Sequence, residues 1–308
     1  MIPGVDPNAI CFLSAYGDAG HWSPLAETRV PVLDRGFIFG DGVYEVVPVY
    51  GGRAFRLAHH LQRFARSMRE VAIENPLDDA GWTVLIAELF HRNAGLGADQ
   101  LVYLQVTRGV AKRDHAFPAD ARPTVFAMTG PWSPPRDAQL KEGIAAATMD
   151  DQRWQRCDIK TISLLGNVLA RQHGVEHGAA ETILLRGDRV TEAAAANVWV
   201  VHGDELRAPP SAPTMLEGVR LALIAELALA EGIRCVRGNI TRDALLSADE
   251  VLLSSAGREV LAVTRIDGWP VGQGKPGPMF ERLYAAYQRA KADPDHSVLL
   301  EPPGVLPG

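Results

Sequence analysis

Between Cys157 and Asn197 the chain reads CDIK, then TISLLGNVLARQ, then ETILL, then VTEAAAANVW. A short apolar approach, a helix-forming run and two β-prone runs follow one another, and that succession belongs to a mixed α/β architecture. It also sets an amine, Lys160, about one helix and one strand ahead of a carboxylate, Glu192. Taken alone, Lys160 reads as an ordinary solvated lysine. Its surroundings change that reading.

Towards the amino terminus, ICFLSAYG and RVPVLD (Arg29 to Asp34) read as strands. RGFIFGDG packs Gly36, Gly40 and Gly42 close to aromatic residues ahead of the strand VYEVVPVY, and the following Gly51-Gly52 pair signals a hairpin returning through Arg53 to Arg56. In LAHHLQRFARSMREV, the positions Leu57, Leu61, Phe64, Met68 and Val71 form one apolar helix face. His60 and Arg63 are neighbours on another face. They are either a polar flank or cations held toward an anionic ligand.

A second helix is predicted over roughly residues 79–93, and LVYLQVTRG is a strand feeding the loop VAKRDHAFP. Arg113 and His115 in that loop can converge on one carboxylate, the guanidinium as a planar fork of donors and the imidazole as another. Ordinary exposed loop charges are the plain alternative. After the strand PTVFAMTG, the proline-rich PWSPPRDAQ reads as a linker over residues 131–139, dividing a domain at 1–130 from one at 140–308.

The second domain opens on the strand GIAAATMDD. Ile162, Leu165, Val168 and Leu169 predict a helix packed by its apolar side, and ETILL and NVWVV predict strands flanking Glu192. PTMLEGVRLALIAELALAEG is a helix with Gly218 near its start, so the amides of residues 216–220 offer an anion site. DEVLLSSAGREVLAVTRIDG reads as two strands about a small-residue turn at Ser254 to Gly257. MFERLYAAYQRAKA is a last helix, and the tail from Pro294 is expected to be loose.

With 308 residues, 47% hydrophobic and 22% charged, the chain is long enough for two cores. A net charge of −6 and no Lys/Arg-rich run argue against a nucleic-acid partner. Cys11, Cys157 and Cys235 are scattered and odd in number, which suggests neither a disulfide framework nor a metal cluster and points to a reducing cytoplasm. Neither a signal-peptide pattern nor an apolar run of about 18 residues is seen, so a soluble, unexported protein without a membrane partner is expected.

Six blocks carry a resemblance: RGFIFGDGVYEVVPVY, HHLQRF, VYLQVTRGVAKRDHAFP, CDIKTISLLGNVLA, VTEAAAANVW and DGWPVGQGKPGP. In this order they resemble the fold-type IV pyridoxal-phosphate aminotransferases, and within them the D-amino-acid aminotransferases. The resemblance implies an α/β (α+β) fold of two domains, a small amino-terminal one and a larger carboxy-terminal pseudo-barrel, with pyridoxal 5′-phosphate at the domain interface. It makes Lys160 the catalytic residue that holds the cofactor aldehyde as a Schiff base and moves the substrate proton. Glu192 becomes the partner of the pyridine nitrogen, and Arg63 the ligand of the phosphate.

The helix start at Gly218, Val219 and Arg220 would add N–H groups to that phosphate, Leu216 would pack on the ring, and Ser255 and Ala256 occupy the late phosphate turn. Tyr44, Arg113 and His115 match the groups that trap the substrate carboxylate, the last two reaching across from a second subunit, which implies a homodimer. The implied reaction is ping-pong transamination of a D-amino acid such as D-alanine with a 2-oxo acid such as 2-oxoglutarate.

The chain departs from the pattern at Arg220 and Ala256, where hydroxyl residues are usual, and at Ala193 to Ala196, where serines are. Alternatives within the fold are a branched-chain L-aminotransferase, an (R)-amine transaminase or aminodeoxychorismate lyase. The alternative outside catalysis is a silent cofactor-binding protein.

Overall fold

A computed structural model describes residues 5–302 of the chain. Packing divides it into two compact units. The first takes the residues up to Ser133, the short segment Ile159–Ser163 and the residues from Pro294 on; the second takes Pro134–Asp158 and Leu164–Asp293. The chain therefore crosses between units four times, where the sequence suggested one linker and two continuous blocks. Little of 131–139 is a spacer: a strand runs through Pro131, Trp132 is buried and a helix begins at Asp137.

The first unit comprises β1 (Ile10–Ser14), β2 (His21–Pro24), α1 (Arg35–Phe39), β3 (Gly42–Tyr50), β4 (Arg53–Phe55), α2 (Leu57–Glu70), α3 (Asp79–Arg92), β5 (Gln100–Thr107) and β6 (Thr124–Pro131). Its antiparallel sheet runs in the order Ser297–Leu299, β4, β3, β5, β6, β1, β2. β3 and β4 form the hairpin about Gly51-Gly52. Leu57, Leu61, Phe64 and Met68 are the buried face of α2, as their spacing predicts. They pack with Trp82, Ile86 and Leu89 of α3 and with Val43, Val47 and Leu104 of the sheet. Each such side chain removed from water contributes about 1.5–3 kcal/mol.

Three local readings are corrected here. RVPVLD is turn and irregular chain rather than strand, with an isolated bridge from Asp34 to Val110 and a bond from the Thr107 hydroxyl to the Asp34 carboxylate (3.0 Å). Pro31 cannot donate to a ladder, and Val32 is exposed. RGFIF, noted in the sequence only for glycines set close to aromatic residues, is the helix α1. The Asp34 side chain caps it by accepting from the Gly36 N–H (2.8 Å), and Gly40 ends it in the left-handed region with φ of 67°. The tail from Pro294 is not loose, because Ser297–Leu299 pairs with β4 and Leu300 joins the core. Residues 303–308 of that tail lie outside the described residues.

The second unit comprises α4 (Asp137–Glu142), β7 (Ile144–Asp150), α5 (Leu165–Glu176), β8 (Glu181–Arg186), β9 (Arg189–Ala193), β10 (Asn197–His202), β11 (Glu205–Ala208), α6 (Val219–Ala230), β12 (Arg234–Arg237), α7 (Arg242–Leu246), β13 (Glu250–Ser255), β14 (Glu259–Ile266), β15 (Trp269–Pro270) and α8 (Pro278–Ala292). Its mixed sheet is ordered β12, β11, β10, β13, β14, β7, β8, β9, with β15 beside β14. The core sits on Ile144, Ile183, Val198, Val200, Val251 and Leu261.

The predicted packing of α5 is also corrected. Leu165, Val168 and Leu169 are 70%, 58% and 54% exposed, whereas the buried positions of this helix are Ala170 and Gly174. The helix lies on the sheet through its small residues. A Cβ on Gly174 would come within 2.7 Å of Thr182 Oγ1, and that closeness turns the large apolar side chains outward.

Candidate active site

In the first unit, the segment holding Lys160 is clamped at its backbone. The Lys160 carbonyl accepts from the Tyr44 N–H (2.9 Å), its own N–H donates to Ser67 Oγ on α2 (3.2 Å), and the next two residues bond to the Gly42 carbonyl. The amine lies 4.1 Å from the centre of the Tyr44 ring. Among the described residues no carboxylate forms an ion pair with it, which leaves a positioned amine for covalent work.

Tyr44 stacks in turn on Tyr103, ring centres 5.5 Å apart, and the Tyr103 hydroxyl donates to Gln105 Oε1 (2.7 Å). Burial pushes the Tyr103 hydroxyl's pKa well above its ordinary value.

Arg63 projects from α2 onto Glu45 of β3, its Nε donating to one carboxylate oxygen (2.9 Å) and its Nη2 to the other (2.6 Å). His60 Nδ1 lies 3.0 Å from the same carboxylate, and Glu45 is fully buried. Burial opposes ionisation of Glu45, but the charges and hydrogen bonds of Arg63 and His60 outweigh it and hold the carboxyl well below the usual range. His60 and Arg63 are thus not a solvated flank. Glu45 fixes the plane of the guanidinium.

Arg113 and His115 are exposed residues of the loop after β5, brought together on Phe39: the Arg113 guanidinium lies 5.4 Å from that ring and the His115 ring 5.4 Å. Neither makes a hydrogen bond, ion pair or ring contact with Tyr44 among the described residues. The three expected members of the carboxylate trap therefore do not meet within this chain.

In the second unit, Glu192 of β9 is buried and accepts from Arg153 Nη1 (2.5 Å) and from the Leu216 N–H (3.2 Å to each oxygen). Arg153 is held on its other side by Asp151, through Nε and Nη2 at 2.9 Å each, and Asp151 also accepts from Arg186 (3.0 Å). Burial raises the Glu192 pKa, and Arg153 and the Leu216 amide only partly oppose this. Asp151 moves the other way: despite burial, Arg153 and Arg186 lower it to about 2.

Asn197, at the start of β10, donates from Nδ2 to the Leu216 carbonyl (2.8 Å) and shapes the turn into α6. Gly218 is required there, since a Cβ would lie 2.0 Å from Asn197 Oδ1. α6 begins at Val219 with no side chain capping it, and Val219 and Arg220 are buried in its first turn. Ser255 ends β13 and its hydroxyl accepts from the Arg258 N–H (3.2 Å), with Ala256 in the turn. Glu192, Leu216 and the α6 start are thus one connected assembly.

Glu45, Arg153 and Asn197 escaped the sequence reading. For Glu45 a signal exists: Val43, Glu45 and Val47 share the buried phase of β3, and a carboxylate in that phase needs a partner. Arg153 and Asn197 carry no such periodic signal.

The first unit thus holds a positioned amine, and the second a buried acid beside an uncapped helix start. The amino-transferase class IV family profile matches residues 42–266, and the chain belongs to that family. D-alanine aminotransferase of Staphylococcus haemolyticus is 38% identical over 276 residues, covering 88% of this chain and 95% of that protein. D-alanine aminotransferase of Bacillus licheniformis is 38% identical over 271 residues, with the same coverages. Among solved structures, the branched-chain aminotransferase of Thermoproteus uzoniensis with norvaline superposes with a TM-score of 0.84 at 22% identity, covering 95% of this chain and 99% of that one. The Escherichia coli branched-chain enzyme gives 0.85 at 22% identity, covering 92% and 94%. At that identity the structures speak for the fold alone.

The protein is a pyridoxal 5′-phosphate-dependent aminotransferase. The donor set fits that cofactor: an amine without a carboxylate partner, a buried carboxylate, and a helix start whose cap position carries no side chain and so suits a phosphate.

Proposed function

We propose that this aminotransferase acts on D-amino acids, D-alanine among them, and passes the amino group to a 2-oxo acid such as 2-oxoglutarate. The observation that carries this is the 38% identity to D-alanine aminotransferases across 88% of the chain, together with Arg113 and His115 presented side by side on Phe39.

Bound pyridoxal phosphate supplies an aldehyde carbon and a ring that accepts electrons. The chain's residues do the rest. Lys160 would carry the cofactor through its amine, and its free amine would take the proton from the substrate Cα as a general base and return it as an acid. The stacked Tyr44 and the clamped backbone hold that amine in place. Glu192, whose ionised form is favoured by Arg153 and the Leu216 N–H against burial, would pair with the ring nitrogen.

Arg63, its fork fixed by Glu45, and the amides of Gly218, Val219 and Arg220 would be the groups that hold the phosphate, and Leu216 would pack against the ring. Ser255 and Ala256 line the phosphate turn, though the Ser255 hydroxyl is engaged with Arg258. Tyr44, Arg113 and His115 bind the substrate carboxylate, the last two from the second protomer of a homodimer.

Supporting the dimer, Val32, Leu33 and Phe37 in the first unit and Leu165, Val168 and Leu169 in the second expose large apolar side chains. Cys11, Cys157 and Cys235 are all free thiols, and no described helix is long and apolar enough to cross a membrane. Both suit the cytoplasmic location we infer.

Borohydride reduction of the loaded protein followed by peptide mapping tests the lysine; the expected pyridoxyl label is on the peptide containing Lys160. Rates with 2-oxoglutarate are then compared for D-alanine, L-leucine and (R)-phenylethylamine. A higher rate with L-leucine than with D-alanine, or a label on another lysine, overturns the reading.

A further inference from the structure

Arg35 is a buried cation whose guanidinium faces the backbone of the loop that carries Arg113 and His115. Its Nη1 donates to the Asp114 carbonyl (2.5 Å) and the Ala116 carbonyl (3.3 Å), and its Nη2 to the His115 carbonyl (3.4 Å). Its Nε donates to Asp41 Oδ2 (2.7 Å). Phe39, one turn further along α1, lies under the Arg35 guanidinium at 4.9 Å and touches the Arg113 and His115 side chains as described above.

Asp41 ties the arrangement to the strand that bears Tyr44. It accepts from Arg108 as well (2.8 and 3.0 Å), and the Arg108 guanidinium lies 3.5 Å from the Phe117 ring at the far end of the same loop. The loop's entrance is held by the Arg35 N–H donating to the Gly109 carbonyl (2.9 Å). An otherwise exposed loop is thus gripped at 109, at 114–116 and at 117 by residues that converge on one carboxylate.

We propose that Arg35 and Phe39 are positioning residues for substrate recognition. They hold the Arg113–His115 loop in the single conformation that presents both side chains to a substrate carboxylate. This rests on the reading of Arg113 and His115 as the carboxylate-binding pair. A planar fork is suited to three successive carbonyl oxygens in a way that a point-charge ammonium is not. Displacing a binding group by an ångström weakens recognition without touching the cofactor's own ligands.

The test uses the loaded enzyme and compares Arg35→Met, Arg35→Lys, Phe39→Leu, Arg113→Ala and the double variant Arg35→Met/Arg113→Ala. Arg113→Ala is expected to raise the KM for both D-alanine and 2-oxoglutarate by at least about tenfold. Arg35→Met is expected to raise both by on the order of tenfold with cofactor content unchanged and kcat changed far less, Arg35→Lys to fall between, and the double variant to exceed Arg113→Ala by clearly less than the product of the two single effects, the remainder reflecting His115. Hydrogen exchange of the 110–118 peptide is expected to speed up in Arg35→Met.

Should Arg35→Met fail to fold, Phe39→Leu carries the test, since it keeps the backbone bonds and is expected to raise KM. A raised KM in Arg113→Ala with none in the Arg35 and Phe39 variants overturns the positioning role. Effects of Arg35→Met and Arg113→Ala that multiply also overturn it. An unchanged KM in Arg113→Ala overturns the carboxylate reading and this proposal with it.

Discussion

In the role proposed for Glu192 the acid serves a protonated ring nitrogen only while it is ionised, and burial works against that. Arg153 supplies the opposing cation, itself held by Asp151. Removing the guanidinium leaves only the Leu216 N–H to oppose burial, so the Glu192 carboxyl ionises at higher pH. In Arg153→Gln we expect turnover near neutral pH to fall by on the order of tenfold or more and the acidic limb of the kcat profile to move upward. Arg153→Lys is expected to move it part of the way back. An acidic limb in Arg153→Gln that coincides with the parent's would contradict the electrostatic role.

At this scale the sequence was most legible where chemistry is written in residue type. Lys160 and Glu192 stand out through the blocks that carry the resemblance, although alone each is an ordinary amine or acid. The guanidinium that controls Glu192 does not, because a partner 39 positions away is chosen by the fold and not by periodicity.

At the scale of elements, periodicity carried α2 and the β3–β4 hairpin, since one buried face and one tight turn dominate their energetics. It misled at α5. The apolar side of that helix points outward, because Ala170 and Gly174 allow close approach to β8 and decide which face is buried.

A helix that exposes Leu165, Val168 and Leu169 is expected to be covered in the homodimer we propose. Val168→Glu is predicted to shift the protein from dimer to monomer in analytical ultracentrifugation at micromolar concentration while secondary structure is retained. A dimer of unchanged strength would remove this helix from the interface. Likewise RVPVLD looked β-prone by composition, yet Pro31 denies it a ladder donor. The strand Ser297–Leu299 was unreadable because its partner, β4, lies some 240 residues earlier.

For the whole molecule, the α/β class and the presence of two compact units follow from alternating strand-like and helical runs. The interleaving does not. Ile159–Ser163 and the residues from Pro294 on return to the first unit because Lys160 is pinned to β3 and α2, and Ser297–Leu299 to β4. Contacts so distant along the chain leave no local trace.

The central claim is that one amine, on Lys160, drives proton removal from D-amino acids. It is tested most directly by mixing the loaded protein with D-alanine or L-alanine in the absence of any acceptor and quantifying pyruvate per protomer. Close to one equivalent from D-alanine, a negligible amount from L-alanine and none from the Lys160→Ala variant is the predicted result; equal release from L-alanine, or release from the variant, would contradict it.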